Sequence, residues 1–228
     1  MDSLQRRERA LVDWGWVARN WQDQLLPALL EHILLASVSV GIALAIALPL
    51  GIAVTRYRRA YVPVTFVAGL LFTIPSLAFF ALLISVPGIG IGRRPAIIAL
   101  VAYSLLVLIR NVVVGIDAVP REMRDAARGM GLTSWQILWQ VEIPLALPVI
   151  VAGIRIASVT VIGIATIAAY IGGWGLGRLI FEGIDRDFST KIVLGAGLAT
   201  LLSVLVDAGL SWAEQAMRPW ARRARAAA

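Results

Sequence analysis

The sequence predicts an all-α integral membrane protein with about five transmembrane helices and an N-terminal interfacial helix. Of its 228 residues, 59% are hydrophobic and only 15% are charged, and the mean hydropathy is +0.82. The apolar runs are continuous and long enough for helical spans, which need about 20 residues. Strands of a membrane barrel would instead alternate in hydrophobicity over segments of about 10 residues.

The charge pattern indicates a lipid surface rather than nucleic acid as the counterion. The net charge is +7, but the arginines cluster at the edges of apolar runs, where anionic headgroups attract them. The chain contains no cysteine, which excludes disulfides and thiolate metal sites. Its glycine-rich stretch at 87–95 lacks the G-x4-G-K-S/T pattern of a phosphate-binding loop. We therefore expect no cofactor on this chain, and any ATP chemistry must come from another subunit.

Residues 1–28 are predicted to form an amphipathic interfacial segment without a cleaved leader. Their large apolar side chains recur at helical spacing, as in a helix lying among headgroups: Leu11, Trp14, Trp21 and Leu25. A disordered, solvated arm is the alternative. Residues 29–215 then form the transmembrane domain, and 216–228 form a basic C-terminal tail.

The first two spans are predicted at 33–54 and 62–86, which contain no charge. His32, the one histidine, precedes the first span and is expected to be solvated or a capping residue. Pro75 lies near the centre of the second span, which should be kinked or broken, because proline removes a backbone hydrogen bond. Such breaks often line a path, so Thr73, Pro75 and Ser76 are candidate pathway residues.

The third span is predicted at 96–116, and it carries Arg110 and Asn111 near its end. Ionisable residues in a span are functional candidates by default, and both residues are therefore candidates for the path. The alternative is that Arg110 extends to the interface.

The fourth span begins near Leu145 and the fifth is predicted at 192–213. After the fourth span, glycines permit a reentrant or unwound segment, and three of them are pathway candidates: Gly172, Gly173 and Gly175. In the fifth span, Asp207 either pairs with an arginine or reaches the interface.

A polar loop at 119–144 separates the third and fourth spans. Pro120 suits the first turn of a short helix, whose apolar face is formed by residues at i, i+3, i+4 and i+7: Met123, Ala126, Ala127 and Met130. Gly129 and Gly131 should end this helix. Thr133 and Gln136 form a capping box for a second helix, which Pro144 should end.

The loop resembles the EAA loop of ABC-transporter permeases, whose pattern is E-A-A-x3-G-x9-I-x-L-P. This chain has D-A-A-x3-G-x9-V-E-I-P, with Asp125 in place of the family's glutamate. The resemblance implies the type I ABC importer permease fold and a cytoplasmic coupling helix docked in the ATPase. The implied coupling residues are Asp125, Ala126, Ala127, Gly131 and Pro144, together with Met123 and Met130. An ordinary amphipathic loop between spans is the alternative.

Three further stretches resemble permeases of osmoprotectant importers, which carry glycine betaine, choline, carnitine or proline-type solutes. They are I-P-S-L-A from Ile74, Y-S-L-L-V-L-I-R-N from Tyr103, and A-A-Y-I-G-G-W-G-L-G from Ala168. The chain departs from that subfamily after Asn111, where valines replace polar residues and tyrosine. Another small solute, such as an amino acid, is the alternative substrate.

The resemblance also implies partners and a place in the cell. It implies two cytoplasmic ABC ATPases that bind ATP and Mg²⁺, a second permease copy or paralogue, and an extracellular solute-binding protein. The location would be the prokaryotic plasma membrane, with the coupling loop and C-terminus cytoplasmic and the N-terminus outside. Positive charge does not decide this topology, since, apart from Arg110 and Arg155 within the spans, ten basic residues fall inside and nine outside. An ion-driven carrier and an intramembrane enzyme are the other classes considered.

Overall fold

A computed structural model of the chain describes residues 11–172 and 174–217. In this part of the chain all regular structure is helical. The α-helices are α1 (Trp14–Asn20), α2 (Leu26–Arg56), α3 (Tyr61–Thr73), α4 (Ser76–Ile84), α5 (Arg93–Asp117), α6 (Arg121–Gly129), α7 (Ser134–Ile137), α8 (Ile143–Ala168), α9 (Leu176–Asp185) and α10 (Ser189–Ala216). Single turns of π-helix at Trp21–Leu25 and Leu138–Glu142 precede α2 and α8.

Four helical stretches of the described chain are long and apolar enough to cross a membrane: Trp14–Arg56, Arg93–Asp117, Ser134–Ile171 and Ser189–Ala216. The bent pair that flanks Pro75 makes a fifth if it counts as one span. The predicted all-α membrane fold of about five spans is therefore confirmed. The N-terminal helix α1 is present, but it continues through the π-turn into α2, so no helix break lies at residue 28.

The predicted interruption at Pro75 is present. Helix α3 ends at Thr73 and α4 begins at Ser76, with Ile74 and Pro75 outside both helices. The cause is local, because proline disfavours a helical conformation for the residue before it. Thr73 turns its hydroxyl back and donates it to the Leu70 carbonyl at 2.8 Å.

The chain divides into two compact units. The first contains the part up to Val40, Ile74–Val101 and Val159–Leu205. The start of α2 packs there against α9 and α10 in a core of small and branched apolar side chains: Leu25, Ala28, Leu176, Leu179 and Ala199.

His32 lies fully buried in this first unit, with 0% of its surface exposed. Its Nδ1 accepts the backbone N–H of Leu176 at 3.3 Å, and its Nε2 lies 3.1 Å from the Ile162 carbonyl. Since Nδ1 is the acceptor, Nε2 carries the proton and donates to Ile162. The expectation of a solvated histidine is therefore wrong. His32 does cap a helix, but that helix is α9 and not the span at whose edge it was expected, because it satisfies the first N–H of α9.

The second unit contains Gly41–Thr73, Ala102–Ser158 and the part from Val206 onward. Its core joins α5 and α8 through four buried residues, Val112, Ile116, Ala146 and Ile150, and three side chains of α2 pack against them: Leu44, Leu48 and Ile52. Close approach of these helices depends on small residues. A Cβ atom on Gly51 would lie 2.5 Å from the Val112 side chain, which no real contact tolerates.

Pro144 does not end the second helix of the polar loop, and this part of the prediction is wrong. Ile143 is helical, with φ −62° and ψ −49°, and the chain continues as helix from Ser134 to Ala168. The π-turn before Ile143 explains the difference. It pairs the Ile143 N–H with the carbonyl of Leu138, and Pro144 then falls in the first turn of α8, where a missing N–H is tolerated.

Candidate coupling site

The polar loop between α5 and α8 folds as two short helices separated by a glycine turn. Pro120 is extended, with φ −57° and ψ 140°, so it precedes α6 rather than opening its first turn. Gly131 ends the helix as predicted. It has a φ of +84°, a conformation that glycine adopts readily, and it allows the Leu132 N–H to reach the Ala127 carbonyl at 3.1 Å.

The predicted capping box at the start of α7 is present. The Thr133 hydroxyl accepts the Gln136 N–H at 3.3 Å, and the Gln136 side chain accepts the Thr133 N–H at 2.8 Å. Two N–H groups of the helix start are thus satisfied within four residues.

The four residues of the predicted apolar face of α6 differ in exposure. Ala127 is 1% exposed and packs against the chain itself, whereas Met123 is 47% and Met130 is 73% exposed, and Ala126 is also exposed. Ala127 is therefore not a free contact residue. Of the four apolar residues, the exposed ones are Met123, Ala126 and the C-cap residue Met130, and we call these three residues the outer face of α6.

Charged side chains in and near α6 form ion pairs at the protein surface. Asp125 pairs with Arg128 at 2.8 Å, and both side chains are about two-thirds exposed. An exposed pair of this kind contributes about 1 kcal/mol or less, so either charge can exchange its partner at little cost. Outside α6, Arg58 after α2 forms another partly exposed pair, with Asp117 at the end of α5.

A buried carboxylate that the sequence did not single out lies beneath this loop. Glu142 is 1% exposed and forms ion pairs with Arg56 and with Arg124, whose Nε lies 2.9 Å from Oε1. That Nε–H makes no well-aligned hydrogen bond, while an Nη of Arg124 donates to the Ile116 carbonyl. A sequence signal was present, because Glu142 is the sole acid between Asp125 and Glu182.

The candidate pathway residues fall into both units. In the first, Pro75 and Ser76 mark the start of α4, and Gly172 and Gly175 have φ of +76° and +101° in the turn between α8 and α9. This turn confirms an unwound segment. Gly173 lies outside the described residues.

In the second unit, Arg110 is exposed, and the Asn111 amide donates to the Val107 carbonyl at 2.8 Å. Asn111 also packs so closely on Gly153 that a Cβ there would lie 2.5 Å away. Asp207 pairs with an arginine, as one alternative predicted, because Arg155 Nε lies 3.5 Å from its Oδ1. A role of these residues in a path stays a prediction.

The spans that contain α5 and α8 are joined by a loop with the D-A-A-x3-G pattern. This arrangement defines a membrane-spanning transport subunit, and similarity to known proteins gives the family. The chain belongs to the family of binding-protein-dependent transport system inner membrane components, which matches residues 38–219.

Two relatives illustrate the similarity. The osmoprotectant import permease protein OsmW of Salmonella typhimurium is 44% identical over 180 residues, which is 78% of this chain and 84% of the relative. The glycine betaine/carnitine/choline transport system permease protein OpuCB of Bacillus subtilis is 39% identical over 189 residues, which is 83% and 86% of the two chains.

Solved structures support the fold. A chain of the MetNI methionine ABC transporter in an inward-facing conformation superposes with a TM-score of 0.74 at 23% identity, and the match covers 84% of this chain and 95% of that one. An amino acid ABC transporter solved with histidines gives a TM-score of 0.73 at 18% identity, with coverage of 90% and 98%. The fold is that of ABC importer permeases, as predicted.

Proposed function

We propose that this permease imports quaternary-ammonium osmoprotectants such as glycine betaine, choline or carnitine, using ATP hydrolysed by a separate subunit. The observation that carries the proposal is the similarity to osmoprotectant and betaine permeases over more than three quarters of both chains. The I-P-S-L-A and G-G-W-G-L-G stretches support the same substrate class. An importer for another small solute is the alternative.

Coupling to the motor would run through α6. Its outer face presents two flexible methionine side chains and a small alanine, a surface suited to the groove of another protein. Asp125 and Arg128 lie beside it in an exposed pair that a partner's charges can replace. In this proposal two ATPases, each bound to one permease copy or paralogue, move α6 as they close on ATP, and the spans alternate between outward and inward access.

Selectivity would come mainly from an extracellular solute-binding protein. Quaternary ammonium groups bind on aromatic faces, and in the first unit the face of Trp174 is covered by the chain's own cation. The Arg93 guanidinium lies 5.0 Å from the Trp174 ring centroid and 3.5 Å from Glu31. One face of Trp174 is thus already in contact with a cation of the chain itself.

The proposed topology places α6 and the C-terminus in the cytoplasm and the N-terminus outside. It can be tested directly, because the natural chain contains no cysteine. A single Met130→Cys variant should react with a membrane-impermeant maleimide in inside-out vesicles and not in intact cells. Labelling from outside the cell would refute the orientation.

The substrate and energy source are tested together in proteoliposomes that contain the permease, its ATPase and its binding protein. Radiolabelled glycine betaine, choline and carnitine should accumulate only when ATP is enclosed with the ATPase. Competition among the three would define the preferred solute. Uptake that does not depend on ATP and is lost when the proton gradient is removed would refute the proposal. ATP-driven uptake of an amino acid, without uptake of these solutes, would refute the substrate class alone.

A further inference from the structure

The buried carboxylate of Glu142 lies where four helices of the second unit meet. It ends the π-turn Leu138–Glu142 and directly precedes α8. Its ion partners come from the last residue of α2, Arg56, and from the middle of α6, Arg124. Arg124 also donates to the Ile116 carbonyl, one residue before the end of α5.

Helix α6 contacts α7 and the π-turn Leu138–Glu142, but it buries little of its own surface. Ala127 is its one buried residue within the described chain, and a single methyl group gives little apolar contact. At its two ends the chain is not helical, at Pro120 and at Gly131. The ionic contacts of Arg124 are therefore the main side-chain connection between α6 and the ends of α2, α5 and α8.

The burial of Glu142 distinguishes its ion pair with Arg124 from the exposed ion pair on the same helix. A carboxylate with almost no exposed surface is tolerated only when it is paired, and loss of one partner of a buried pair is strongly destabilising. The pair formed by Asp125 and Arg128 on the same helix lacks this property because both side chains are exposed. Movement of α6 thus requires either that Arg124 leave a buried partner or that the helix ends move with it.

We propose that Glu142 is a positioning residue that holds α6 rigidly on the ends of α2, α5 and α8, so that displacement of α6 moves the spans. This inference rests on the proposed function in one respect, the identity of the motor that displaces α6. Glu142 itself is 1% exposed, so in this proposal it acts through its two arginine partners.

The first experiment tests the rigid attachment on the permease alone. Hydrogen exchange is measured in lipid nanodiscs for wild type, Glu142→Gln and Arg124→Gln. Backbone amides of 121–129 should exchange at least tenfold faster in both variants, and the Glu142→Gln/Arg124→Gln double variant should add less than twofold to either. Arg59→Gln is the matched control, because Arg59 is an exposed arginine three residues from Arg56, and it should exchange like wild type. Wild-type exchange in Glu142→Gln would overturn the proposal.

The second experiment separates positioning from general stability. In the complex with its ATPase, Glu142→Gln should keep ATP hydrolysis within about twofold of wild type while the solute transported per ATP falls at least tenfold. Glu142→Asp keeps the charge and should recover part of that ratio. A parallel fall of hydrolysis and transport, with an unchanged ratio, would overturn the proposal.

The proposed function and the role of Glu142 can be refuted independently. If wild-type complex imports no solute on ATP, the proposed function fails, while the exchange measurement still decides whether Glu142 fixes α6. If wild type transports normally and Glu142→Gln transports equally well per ATP, the proposed function stands and the role of Glu142 is refuted.

Discussion

Neighbouring alanines on α6 should respond in opposite ways to the same substitution. Ala126 is exposed and Ala127 is 1% exposed, although the family pattern treats them as a pair. A glutamate at 126 points to the surface, where substitutions usually change the free energy of unfolding by about 0.5 kcal/mol or less. A glutamate at 127 overfills a packed site and buries a carboxylate without a partner, which should cost about 3 kcal/mol or more.

The assay compares the two variants for folding and for partner capture. Ala126→Glu should express and unfold thermally in detergent like wild type, yet it should capture the ATPase at least tenfold less well, because a charge enters the proposed docking surface. Ala127→Glu should lower the yield and the unfolding temperature before any partner is added. Equal thermal stability of both variants would refute the inward placement of Ala127, and wild-type ATPase capture by Ala126→Glu would refute docking through the outer face of α6.

Three further predictions concern the first unit, measured by thermal unfolding in detergent. His32→Ala leaves the Leu176 N–H without its acceptor in a buried site and should cost about 2 to 4 kcal/mol; an unchanged unfolding temperature would contradict the buried cap. Gly177→Ala places a Cβ 2.0 Å from the Thr166 carbonyl oxygen and should be destabilising, whereas Gly197→Ala, which meets open space, should be neutral or stabilising by up to about 1 kcal/mol. The pKa of Glu182 lies below its usual value, because the hydrogen bond from Lys191 lowers it by more than burial raises it. This carboxylate therefore stabilises the fold above its usual pKa of about 4, and that stabilisation is lost as pH falls. Glu182→Gln should therefore lower the unfolding temperature at pH 7 but progressively less in acid, and a difference that is constant with pH would contradict the ion pair.

Features of the fold that depend on a few consecutive residues were predictable from the sequence. The break at Pro75, the left-handed turn at Gly131 and the capping box of Thr133 and Gln136 each follow from the backbone chemistry of one or two side chains. Long uncharged runs likewise identified the spans. For the break, the turn and the capping box, the cause and its structural effect lie within one helical turn.

Features that depend on distant contacts were not predictable in the same way. Arg56 and Glu142 are 86 residues apart in sequence, and His32 and Leu176 are 144 apart. A lone acid and a lone histidine were visible, but their partners were not. Pro144 failed as a helix end because a π-turn, which has no sequence signature here, moved the proline into a first helical turn.

His32 and Glu142 are two of the buried polar residues, and each lies beside an irregular stretch of helix. His32 caps α9 after the unwound turn at Gly172 and Gly175, and Glu142 closes the π-turn before α8. Interruptions release backbone groups, which at membrane depth must find partners within the protein. A polar side chain buried at a break therefore fixes the break's geometry. Removal of such a side chain should lower stability and should also change how the adjacent segments move together. Transport per ATP measures the second effect for Glu142→Gln, and thermal unfolding measures the first for His32→Ala.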